Sequence, residues 1–150
     1  MEKINLRAPY KLSELIKIVA SAIVTNGVGN NLSYEDTNFY LYTRKEEELA
    51  SSELICYADD YPSITEEGEE VYPEFVIKEG LKVFFSGDRF EDVISNILHQ
   101  KSQPSMDDFL AGLNCYMGTD SFSIYRLFLR NAGELNMSWL HWLSEKLFIG

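Results

Sequence analysis

The chain has 150 residues, a formal net charge of −11, 45% apolar residues and 13% aromatic residues. That length suits one domain with a substantial core, and that apolar content excludes a disordered polyanion. The acidic balance argues against a nucleic-acid ligand, since phosphate binding needs a basic patch.

The opening residues, MEKINLRAPYKLSEL, hold neither an uninterrupted apolar stretch nor a small-residue cleavage site, so no secretory signal is expected. From Leu12 the chain reads as a helix. Leu12, Leu15, Ile16, Val19, Ala20, Ile23 and Val24 form one apolar stripe at helical period, and Asn26-Gly27 ends it. The run Ile18 to Val24 is far too short to cross a membrane. Residues 27–31 read as a loop. Its G-x-G follows a helix instead of joining a strand to a helix, so a phosphate cradle is not expected.

Short aromatic and apolar runs at 38–43, 53–58 and 81–86 predict three strands. Residues 44–52 connect the first two. The segment 73–80 begins with Pro and ends with Gly, which suits a short helix; Glu79-Gly80 equally suits a hairpin turn, and the helix is the expectation. Asp88 with Glu91, and Ser105 with Asp108, have capping-box spacing ahead of the apolar stripes Phe90–Leu98 and Phe109–Met117. Two more helices are expected at about 120–131 and 138–148. The order predicts a single α+β domain over 1–150, with a small antiparallel sheet packed by an N-terminal helix and a helical C-terminal half.

One segment stands apart in charge. Between Glu46 and Ile77 lie eleven acids and no Lys or Arg, whereas the rest of the chain balances thirteen acids against thirteen bases. Charge of one sign at that density adds little to stability but attracts and orients a partner of opposite sign. Pro62, Gly68 and Pro73 make the segment loop-rich. Tyr57, Tyr61 and Tyr72 are interleaved with the acids, and Ile64 and Val71 add apolar points. Asp59, Asp60, Glu66, Glu67, Glu69 and Glu70 are the candidates for steering a partner, with Glu74 beside them; Tyr61 and Tyr72 are the candidates for anchoring it. The competing reading, a solvated acidic face with tyrosines propping a loop on the core, stands open at this point.

Chemistry is sparse. His99 and His141 belong to no metal-ligand pair, and His99 suits a helix C-terminus. His141, between Trp139 and Trp142, reads as an ordinary helical His, although it could line a pocket. Two Cys and two His at scattered positions do not make a zinc site, and the acids lack calcium-loop spacing. No catalytic residue, metal or cofactor is expected, and an enzyme centred on His141 is the weaker alternative. Cys56 and Cys115, in apolar contexts without C-x-x-C spacing, read as reduced buried thiols, which predicts a cytoplasmic location.

Phe90–Gln100, Met106–Tyr116 and Thr119–Phe122 resemble a group of small bacterial cytosolic proteins found as immunity partners in toxin–immunity systems, including contact-dependent growth inhibition. The resemblance implies a protein that binds and neutralises a cognate toxin. It places no functional residue in the acidic segment. Joined to the charge pattern, it predicts blockade of a basic toxin domain, a nuclease, by an acidic loop, with neither nucleic acid nor membrane as a partner. A regulatory or adaptor module for another basic protein, and a homo-oligomeric structural protein, are the alternatives.

Overall fold

The computed structural model describes residues 3–27, 38–44 and 49–117. In chain order these form β1 (Pro9–Lys11), α1 (Leu12–Asn26), β2 (Tyr40–Thr43), β3 (Ile55–Asp59), β4 (Ser63–Ile64), β5 (Glu70–Val71), α2 (Glu74–Glu79), β6 (Lys82–Ser86), α3 (Gly87–Gln100) and α4 (Met106–Met117). The expected helices at 120–131 and 138–148, with His141 and both tryptophans, lie outside the described residues. So do Glu46, Glu47, Glu48, most of the 27–31 loop and Thr119–Phe122.

The fold is α+β. Four antiparallel strands run in the order β1-β3-β2-β6. Strand alternation divides the sheet into two chemically different faces. Leu41 stands opposite both Ala58 and Phe85, and this row faces the helices. There it packs with Leu12, Leu15, Ile16 and Val19 of α1, Phe90 and Ile94 of α3, and Phe109 and Leu113 of α4. The opposite face carries Tyr40, Tyr42 and Tyr57. It is covered by a second, smaller cluster in which Tyr72, Phe75, Val76 and Leu81 pack on those tyrosines.

Helix ends follow local chemistry. At the start of α1, the Leu12 and Ser13 amides donate to the carbonyls of Leu54 and Ser52 at 2.8 and 3.2 Å, which satisfies amides a helix N-terminus leaves open. Gly27 ends it with φ of 96°, although its ψ of 127° lies outside the left-handed helical region expected. Gly80 closes α2 in a true left-handed conformation, φ 65° and ψ 35°, so Pro73–Gly80 is the helix and not a hairpin turn. The Ser105–Asp108 capping box is present: the Ser105 amide donates to Asp108 Oδ2 at 2.8 Å, and the Asp108 amide to Ser105 Oγ at 3.2 Å.

The Asp88–Glu91 box is not. Helix α3 begins two residues earlier than an Asp88 cap would place it, after Ser86, and the Gly87 amide donates to the Phe39 carbonyl at 2.7 Å. Asp88 accepts from the Arg89 amide instead, while Glu91 is buried. A bond to the residue just before β2 satisfies the first amide of this helix. His99 is exposed in the last turn of α3, where a cation is favoured.

Candidate functional site: the acidic hairpin

The segment expected as an acidic loop folds as a β-hairpin. Ser63 pairs with Val71 and Ile64 with Glu70, and the two strands form a sheet separate from the main one. The turn is built by Thr65, whose amide donates to the Glu69 carbonyl at 2.9 Å while its own carbonyl accepts from the Gly68 amide at 2.9 Å. Thr65 Oγ1 also accepts from the Glu69 amide at 3.1 Å. The three-residue loop Glu66-Glu67-Gly68 needs a left-handed last residue, and Gly68 supplies it with φ of 84°. A Cβ there would meet nothing within 4 Å, so conformation and not space demands the glycine.

Both legs of the hairpin fasten to one buried side chain, Tyr42 on β2. Its hydroxyl donates to the carbonyl of Asp60 on the incoming leg at 2.8 Å. Its ring meets Tyr72 on the returning leg edge-on, with centroids 6.3 Å apart at 84°. Burial, with the negative charge of Asp59 next, pushes the Tyr42 phenol up, so it stays a neutral donor. Tyr72 donates to Glu70 Oε2 at 2.7 Å, and that hydrogen bond is the main reason its phenol is also raised.

The sequence candidates separate into groups. Asp60, Glu66, Glu67, Glu69, Glu70 and Glu74 are all exposed, and none has a cationic partner among the described residues. Tyr61 is about half exposed beside them, as are Val71 and Ile64. Tyr72 is half-buried at the base and serves as much to hold the hairpin as to face outward.

Asp59 leaves the steering set. It is 1% exposed, and its Oδ1 lies 3.0 Å from Arg7 Nη1. Arg7 takes a left-handed φ of 61° and donates its amide to the Ala58 carbonyl at 2.7 Å, which brings the guanidinium over β3. A buried carboxylate needs such a partner, and Arg7 lies 52 positions away in the chain. Glu53, another acid of the segment, pairs with Lys11 at 3.0 Å. Tyr57 is turned to the body of the protein as well, 5.7 Å from Phe75 and under the Arg44 guanidinium at 5.8 Å. Sequence reasoning missed Tyr42 and Arg7, neither of which lies within the acidic segment.

Among the described residues no group of three or more His, Cys, Asp or Glu could hold a metal ion, and no helix is long and apolar enough to cross a membrane.

A family model described as a domain of unknown function, DUF7716, matches residues 27–125, which is 99 of the 150 residues. The chain belongs to the DUF7716 family. No curated protein and no solved structure matches it. The DUF7716 span takes in β2, β3, the hairpin, α2, β6, α3 and α4, and therefore both Tyr42 and the acids it holds out. Arg7, β1 and all of α1 precede it.

Proposed function

We propose that this chain is a binding protein that presents the β4–β5 hairpin to a basic protein domain, and that it acts in the bacterial cytoplasm as an immunity protein neutralising a cognate toxin. The observation that carries this reading is the hairpin itself: exposed carboxylates without cationic partners among the described residues, set at the end of two strands anchored through Tyr42. Self-repelling charge of that kind does nothing for the body of the protein. It supplies a directed field and a fixed place from which to apply it.

A nuclease fits the partner's side of this reading, because an enzyme that takes a polyanion has an electropositive cleft. Blockade is then steric and electrostatic, with association that slows as salt screens the two surfaces. The resemblance of Phe90–Gln100 and Met106–Tyr116 to immunity proteins supports the same role.

The test is affinity capture from the source cells with tagged wild type beside Glu66→Lys, Glu67→Lys, Glu69→Lys. Glu70 is left intact because Tyr72 donates to it. One basic protein held by wild type and lost by the variant, together with growth rescue when that protein is co-expressed with wild type, is the expected result. Capture without growth rescue favours an adaptor role. Equal capture by both proteins removes the hairpin from the interface.

A further inference from the structure

We propose that the hairpin enters a cleft of its partner and is walled on both sides, instead of lying against a flat surface; this rests on the binding role proposed above. In an antiparallel pair, directly opposed residues point to the same face and successive pairs alternate. Ser63 opposes Val71 and Ile64 opposes Glu70. Ile64 and Val71 therefore project from opposite faces of the hairpin. Ile64 is 63% exposed and Val71 45%, and their cross-strand neighbours Glu70 and Ser63 are exposed too.

A hairpin of two short strands with both faces in water is marginal by itself, and an apolar side chain on each face does not help it fold. A flat partner lying on one face buries one of the two and leaves the other in water. Two walls bury both. The tip carries Glu66, Glu67 and Glu69, so charge complementarity places basic groups at the floor of the cleft and apolar groups on its walls. A partner layer packs about 10 Å from a strand pair, which sets the walls about 20 Å apart, backbone to backbone.

The experiment places the photo-crosslinker p-benzoylphenylalanine at Ile64, at Val71 and, as a control, at Ile77 of α2, which is 65% exposed. Each full-length chain is irradiated in the source cells and its adducts are mapped by mass spectrometry. Adducts of one basic protein at both Ile64 and Val71, on separate segments of that protein, with none at Ile77, are expected. An adduct at only one of the two overturns enclosure and leaves the charged hairpin as a one-faced contact. No adduct at either, or equal labelling at Ile77, overturns it as well.

Repeating the labelling in the Glu66→Lys, Glu67→Lys, Glu69→Lys background separates the two readings. Adducts that persist there uphold enclosure and remove charge as the reason for binding. With the partner purified, Ile64→Ser and Val71→Ser are each expected to raise Kd by about tenfold. An effect confined to one of them overturns the proposal.

Discussion

The hydroxyl of Tyr42 donates to the carbonyl of Asp60 at 2.8 Å, and this bond joins the middle of the main sheet to the foot of the acidic hairpin. Tyr42→Phe removes the donor and keeps the ring that touches Tyr72. A loss of about 1 kcal/mol in denaturant unfolding is expected. The hydrogen-bonded amides of Thr65, Gly68 and Glu69 should exchange faster than in wild type, because one leg is then unfastened. Unchanged exchange in the hairpin would show that the Tyr72 contact holds it alone.

Reversing Glu66, Glu67 and Glu69 to Lys should leave the melting temperature within a few degrees of wild type, since exposed groups without ion pairs among the described residues contribute little to folding. The same variant should associate with the partner roughly an order of magnitude or more slowly at low salt, with a weaker salt dependence. Calorimetry and stopped-flow mixing measure the two halves separately. A large fall in melting temperature would mean the acids support the fold.

Asn114 on α4 makes both hydrogen bonds of a peptide group with Ala50: the Ala50 amide donates to Asn114 Oδ1 at 2.7 Å, and Asn114 Nδ2 donates to the Ala50 carbonyl at 3.0 Å. Ala50 is 6% exposed, so water does not readily replace either bond. Asn114→Ala should cost about 2 kcal/mol, and Asn114→Asp, which keeps the acceptor but sets a charged oxygen against the Ala50 carbonyl, should cost at least as much at neutral pH. Urea melts of the three proteins give the order.

Cys56 and Cys115 are buried thiols, and burial pushes each from 9.0 up to about 12. The thiolate is the reactive form, so neither should alkylate with iodoacetamide at pH 8 until the protein unfolds. In the unfolded chain both ionise near their ordinary value. Ionisation of the unfolded chain then lowers stability as pH rises from about 9 toward 12, by on the order of 1 kcal/mol per thiol at pH 10. Below pH 9 these thiols add no pH dependence. Melting temperatures at pH 8 and pH 10, beside a Cys56→Ala, Cys115→Ala chain that loses this part of the decline, check the sign.

Gly112 lets α4 approach α3 closely. A Cβ there would stand 2.5 Å from Ile97 Cδ1 and 3.4 Å from Val93 Cγ1. The Ile97 methyl can turn aside, and alanine gains about 1 kcal/mol of helix propensity over glycine, so Gly112→Ala should stay within about 1 kcal/mol of wild type. Gly112→Leu also drives into Val93 and should cost about 3 kcal/mol. A melt of Gly112→Leu that matches wild type would mean the two helices separate freely.

How legible each element was depends on how local its causes are. The apolar stripe of α1, the Pro73 and Gly80 that bound α2, and the Ser105–Asp108 box all act within a few residues, and the sequence shows them. Strand β1 is only Pro9–Lys11, too short to carry a period, and exists through its pairing with β3. Asp88 has the spacing of a cap, but the Phe39 carbonyl takes the Gly87 amide and α3 starts earlier. The hairpin carried a readable signal, a three-residue loop ending in Gly68 between Ile64-Thr65 and Val71, which the density of acids obscured. Asp59 could not be told from its exposed neighbour Asp60, because Arg7 comes to it through the fold.

Tyr42 also separates two kinds of freedom. What lies beneath it packs on the sheet, whereas residues 63–71 are held, among the described residues, by their own pairing, by the turn at Gly68 and by the two points where the legs are fastened. That makes the hairpin an exchangeable tip. Its acids and its two exposed apolar residues can be rewritten, or a hairpin of another sequence spliced between Pro62 and Tyr72, while the same body continues to fold. The hairpin can then vary without a change in what holds the body together.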